Sequence, residues 1–149
     1  MRLFDMCLAG SVVLGACSAP VSQTSANGAA VLEKHGLVGR WAQDCTQPYS
    51  TTNPHLIYAV PNQGVPTEQL LMDRAHDRTS PIDEIKELSN GMVQWTQQAG
   101  EDRVTVVTKF DGNRQKTWTS TTASGTVYIE DGKFSGGEDA PWFSKCETN

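Results

Sequence analysis

Side chains able to do acid–base, nucleophilic or metal chemistry are few in this chain, and their spacing is sparse. The three histidines are His35, His55 and His76, the last set between Asp73 and Asp77 in "DRAHDR". A zinc site needs three or four ligands converging at about 2.0–2.3 Å, which sequences announce as HExxH or as paired Cys/His spacings. Neither pattern occurs, and Asp73, His76 and Asp77 read as solvated charge. No serine sits in a GxSxG elbow. Asp83/Glu84 and Glu101/Asp102 are adjacent carboxylates in polar segments, whereas acid–base work needs two carboxyls held at a set distance across a cleft. The stretches "GNRQK" and "SGG" lack the strand–loop–helix context of a phosphate cradle. These residues predict no catalytic group, no metal and no cofactor.

Four tryptophans remain, Trp41, Trp95, Trp118 and Trp142, and their use depends on the elements that carry them. Turn signals recur at "PNQG" (61–64), "SNG" (89–91), "AGED" (99–102), "DGN" (111–113), "ASG" (123–125) and "DG" (131–132). From Ser89 onward they stand 8–12 residues apart, the spacing of a β-meander joined by tight hairpins. Between them "MVQWTQQ", "RVTVVTKF", "RQKTWTSTT" and "TVYIE" are rich in β-branched and aromatic residues, with apolar side chains alternating along them. "GRWAQDC" and "HLIYAV" add two strands. "PTEQLLMDRAHDR" and "PIDEIKEL" are ambiguous, since Ile82, Ile85 and Leu88 also fit helical spacing. An up-and-down sheet needs both as strands, while a short helix between residues 66 and 88 is the alternative. Eight antiparallel strands of this length favour closure into a small barrel, which removes exposed edges. The fold expected is therefore all-β, with Trp95 and Trp118 in mid-meander strands as candidates for a cavity wall. Simple core filling is the competing use for both.

The N-terminus carries an address. Residues from Met6 to Ala16 are apolar or small throughout, too short a run to span a bilayer, which takes roughly 20 apolar residues. Leu14-Gly15-Ala16-Cys17 resembles the lipobox of bacterial lipoproteins. That resemblance implies cleavage before Cys17, acyl chains on Cys17 and a membrane partner through that anchor. Ser18 follows the cysteine, so the retention signal that family places there, an Asp, is absent, and the implied destination is the outer membrane, facing the periplasm. An ordinary signal peptide cut further on, after Gly28, is the competing reading and leaves a soluble periplasmic or secreted protein. The domains expected are a signal peptide over 1–16, a flexible tether over 17–36 and a barrel over 37–149.

The formal net charge is −5, and no basic run exists, which argues against nucleic acid as a partner. With Cys17 acylated, Cys45 and Cys146 remain. In an oxidising compartment an even pair without CxxC or His neighbours reads as a disulfide, two unrelated thiols being the other possibility.

"LVGRWAQDC" is similar to the G-x-W opening of lipocalins and related calycin barrels. The resemblance implies that Gly39 allows a tight entry and Trp41 plugs the closed end. The size is nearer that of avidin-like barrels and of the small periplasmic inhibitors of secreted metalloproteases. The function expected is non-catalytic binding of a small apolar ligand or of a protein partner. Inhibition of an exported hydrolase and a structural role in the envelope are the alternatives. For the anchor, the outcome expected is that the protein sediments with membranes and that Cys17→Ser releases it or leaves it unprocessed. Wild-type protein found wholly in the soluble periplasmic fraction would refute the lipobox assignment.

Overall fold

The computed structural model describes residues 23–61 and 64–147. The signal peptide, Cys17 and the first part of the expected tether lie outside the described residues. Described are a helix, α1 (Gln23–Lys34), and ten strands. These are β1 (Gly39–Ala42), β2 (His55–Ala59), β3 (Thr67–Leu71), β4 (Arg78–Glu87), β5 (Val93–Ala99), β6 (Asp102–Asp111), β7 (Arg114–Thr122), β8 (Val127–Glu130), β9 (Lys133–Phe134) and β10 (Phe143–Lys145).

Strands β1 to β7 pair in chain order, and β10 pairs with both β1 and β7, so eight antiparallel strands close a barrel. The eighth strand is not "TVYIE", as expected, but β10. The two share one edge of β7: β10 takes Arg114 and Gln115, while β8 takes Ser120 and Thr121. A register shift at Ser120/Thr121 bends β8 away from the ring. With β9, β8 forms a hairpin at the end of the barrel where β5 finishes and β6 begins.

The ambiguous stretch 66–88 holds two strands and no helix. Its helix-like spacing has a physical cause. Glu84 has φ 49° and the β4–β5 register slips between Asp83 and Lys86. A bulge adds one residue to a strand, so Ile82 and Ile85 both reach the interior side three positions apart instead of two.

The expected tether is corrected over α1. This helix ends in a Schellman motif, with Gly36 N donating to Glu33 O at 2.9 Å and Leu37 N to Leu32 O at 2.8 Å. Gly36 takes φ 63°, the left-handed conformation that this motif needs and glycine adopts freely. Leu32 and Leu37 are fully buried, and Ile85 lies against Gly28. A helix this short and this rich in small residues is marginal alone. Docking on β4 and covering the end of the barrel where β1 begins supply its stability. No described helix is long and apolar enough to cross a membrane.

A disulfide joins Cys45 to Cys146, with Cα atoms 5.4 Å apart and a sequence separation of 101. It fastens β10 beside β1, where Cys146 N also donates to Arg40 O at 2.8 Å. Closing so long a loop stabilises by up to about 4.7 kcal/mol in the chain-entropy model, and native disulfides in small domains are worth about 2–5 kcal/mol. A Cys45→Ser/Cys146→Ser variant is therefore expected to melt roughly 10 °C or more below the wild type. An unchanged melting point would show that hydrogen bonds alone hold the closing strand.

Candidate functional site

The barrel interior divides into two halves. Toward α1 it is packed: Trp41, Ile82, Val93 and Trp95 join Leu32 and Leu37 in one buried cluster. Toward the β8–β9 hairpin it is hollow, with a cavity of about 300 Å³. Leu56, Leu70, Met72, Val106 and Phe143 supply its apolar walls, and Ala140 and Pro141 lie at its rim. The interior of an eight-stranded barrel is just wide enough for side chains to fill. Two tryptophans fill the capped half, whereas leucines, threonines and serines leave room in the other.

A short polar chain crosses the boundary between the halves. Trp95 Nε1 donates to Gln97 Oε1 at 3.1 Å, and Gln97 Nε2 donates to Glu68 Oε1 at 3.3 Å. Tyr58 stands edge-on to Trp95 with ring centroids 5.7 Å apart. Glu68, Gln97 and Tyr58 all line the cavity. Burial pushes the Glu68 carboxyl above the usual glutamate range, although the Gln97 bond and the charge of Arg78 work the other way. Burial also pushes the Tyr58 phenol well up, and the neighbouring Glu68 adds to the rise. Gln115, on β7, is buried beside the Tyr58 phenol and works against part of that rise. A carboxyl, a phenol and an amide thus converge on the floor of a hollow with mostly apolar walls, the composition of a small-molecule site.

The sequence-predicted residues fall elsewhere or play other parts. Trp95 is fully buried and lies under the floor, reaching the cavity through Gln97 and Tyr58. Trp118 is corrected: it does not line the cavity. Register slips between Val107 and Thr108, which makes Trp118 the extra residue of a bulge and turns it outward. There Lys109 Nζ sits 4.4 Å from its ring centroid, and Gly132 N donates to its carbonyl at 2.8 Å. Trp142 also lies outside, with the Arg114 guanidinium 5.1 Å from its ring. Trp41 is buried in the capped half, its Nε1 donating to Leu37 O at 2.7 Å. Gly39 has φ 125°, a conformation that side chains disfavour.

The histidines do not converge. His35 stacks on Phe110 at 5.3 Å, and His76 Nδ1 lies 2.8 Å from Asp73 on the surface. His55 is buried outside the barrel wall beside Asn53, and burial, then the charge of Arg40, lowers its pKa. Asp83 and Glu84 both pair with Arg103 on the exterior. Among the described residues no group of three His, Cys, Asp or Glu side chains is placed to hold a metal ion.

The groups that sequence reasoning missed were marked by strand parity. Glu68 and Leu70 alternate to one face in "TEQLL", and Gln97 shares its face with Val93 and Trp95. A carboxylate on an inward parity was the available signal. The architecture is that of a closed, half-filled antiparallel barrel with a polar floor. No protein-family model, curated protein or solved structure matches the chain.

Glu68 has a measurable signature. Its folded pKa exceeds its unfolded one, so between the two the native state holds more protons and stability falls as pH rises. Glu68→Gln keeps the acceptor for Gln97 and is expected to raise stability at neutral pH and to flatten this part of the profile. Urea unfolding of both proteins from about pH 4 to about pH 8 reads the difference. Parallel curves would mean that the carboxyl is solvated and not part of a buried floor.

Proposed function

We propose that this protein is a non-catalytic binding protein of the cell envelope, held to the membrane by acyl chains on Cys17, and that it carries a small, largely apolar ligand in the barrel. The observation behind this is the 300 Å³ hollow with apolar walls and a few polar groups on its floor. That volume lies at the lower end of the range for small-molecule sites. Binding there needs buried apolar contact and a few hydrogen bonds, and calls on no nucleophile or base. The arrangement resembles the use that calycin barrels make of their interior.

Helix α1 buries Leu32 in its own barrel, which weighs against an inhibitor that inserts this segment into an enzyme cleft. N-phenyl-1-naphthylamine is a suitable probe, being neutral, apolar and equipped with one N–H donor for Glu68. It is expected to bind one to one with a Kd on the order of micromolar and to brighten on entry. Leu70→Trp, which fills the cavity, is expected to abolish the signal while leaving cooperative unfolding intact. Absence of binding to the wild-type protein, or undiminished binding to the filled variant, would remove the cavity from the functional account.

A further inference from the structure

Outside the mouth of the cavity lies a second hollow of about 500 Å³, between the β8–β9 hairpin and the ends of β5 and β6. Tyr128 and Phe134 wall it, and both are exposed, at 48% and 41%. Arg78, Gln97, Ser120 and Phe134 line this hollow and the inner cavity alike. The two are compartments of one bent site, and Arg78 stands at the junction. None of the ion pairs among the described residues involves Arg78. Its guanidinium is always charged and binds carboxylate or phosphate in a forked geometry. Glu68 lies within range of that charge but forms no ion pair with it, so the forked donors of Arg78 are not taken up by a described carboxylate.

Along the site the chemistry runs in order: a chamber with apolar walls and Glu68, Gln97 and Tyr58 on its floor, one positive charge, then a wider groove carrying two aromatic rings and the hydroxyls of Ser120 and Ser135. A ligand that complements it has a hydrocarbon chain, a single negative charge and a polar group beyond the charge. A simple fatty acid ends at its carboxylate and would leave the outer groove empty. We propose that the bent site binds a monoacyl phosphodiester amphiphile, with its chain in the inner chamber, its phosphate on Arg78 and its polar head in the outer groove against Tyr128. This assignment rests on the cavity-binding reading above and narrows it to a ligand class.

The test titrates the protein calorimetrically, below the micelle concentration, with three decanoyl compounds. These are decanoyl lysophosphatidylglycerol, decanoate and the neutral monodecanoyl glycerol. The phosphodiester is expected to bind about tenfold more tightly than the neutral ester, as one charge-assisted hydrogen bond confers. Arg78→Met should erase that preference by bringing the phosphodiester down to the affinity of the neutral ester, with cooperative urea unfolding retained to show the fold intact. Tyr128→Ser should bring the phosphodiester down to the level of decanoate. Equal affinity for the charged and neutral compounds, or a preference that survives Arg78→Met, would overturn the assignment. Decanoate binding as tightly as the phosphodiester would overturn the role of the outer groove. If the naphthylamine binds and none of the decanoyl compounds does, the ligand class is wrong and the cavity reading stands. If nothing binds, both fail.

Discussion

Everything inside this protein depends on a sheet that closes through a strand of only three residues, Phe143–Lys145, bonded on both sides. Trp41 pairs with Lys145 across one seam and Gln115 with Phe143 across the other. Without β10 the edges of β1 and β7 would be open to any other strand, and the cavity would lose Phe143 from its wall. So few ladder bonds are a weak clasp on their own. The disulfide to Cys45, the bond from Cys146 N to Arg40 O and that from Lys145 N to Asn113 O at 3.1 Å strengthen it. Covalent and hydrogen-bonded reinforcement falls where the ring has least backbone pairing.

Closure creates an inside, and side-chain volume then decides how it is used. At the end where the chain enters, α1, Leu37 and Trp41 seal the ring, and the bond from Trp41 to Leu37 O satisfies the indole N–H that burial would otherwise leave unpaired. At the other end no described helix covers the opening, and the β8–β9 hairpin stands beside it. Glu68 is costly in such surroundings, since a buried polar group loses its hydration. Gln97 and, through it, Trp95 recover part of that cost by hydrogen bonding. A group whose pKa is moved by burial on the floor of a hollow is a local inconsistency of the kind that functional sites retain.

Bulges govern which residues take part. One at Glu84 carries β4 across the interior with Ile82 and Ile85 both inward, and one at Trp118 sends that ring outside. A third, at Ser120/Thr121, releases β8 from the ring. The edge of β7 is thereby freed for β10, and the hairpin is placed where Phe134 reaches both compartments. Each is a one-residue insertion that reverses the facing of the next residues along its strand.

Strands β1, β2 and β5 to β7 and the pairing of Cys45 with Cys146 were legible in the sequence, because alternation, turn residues and the two cysteines of the barrel segment are local or countable signals. Strands β3 and β4 stood open between strand and helix. The part of the site on β3 and β5 left a signal that the sequence reading passed over, since Glu68 and Gln97 keep strict alternation with Leu70 and Trp95. Three features could be decided only by the tertiary structure. Helix α1 is built from "SANGAA" and two large apolar residues, too little for a periodic signal, and it exists because β4 offers it a surface. The facing of Trp118 turns on a bulge that no residue type announces. The choice of β10 over "TVYIE" as the closing strand depends on which segment meets β1 across space. That is a contact between chain ends about 100 residues apart, and only closure of the whole ring can select it.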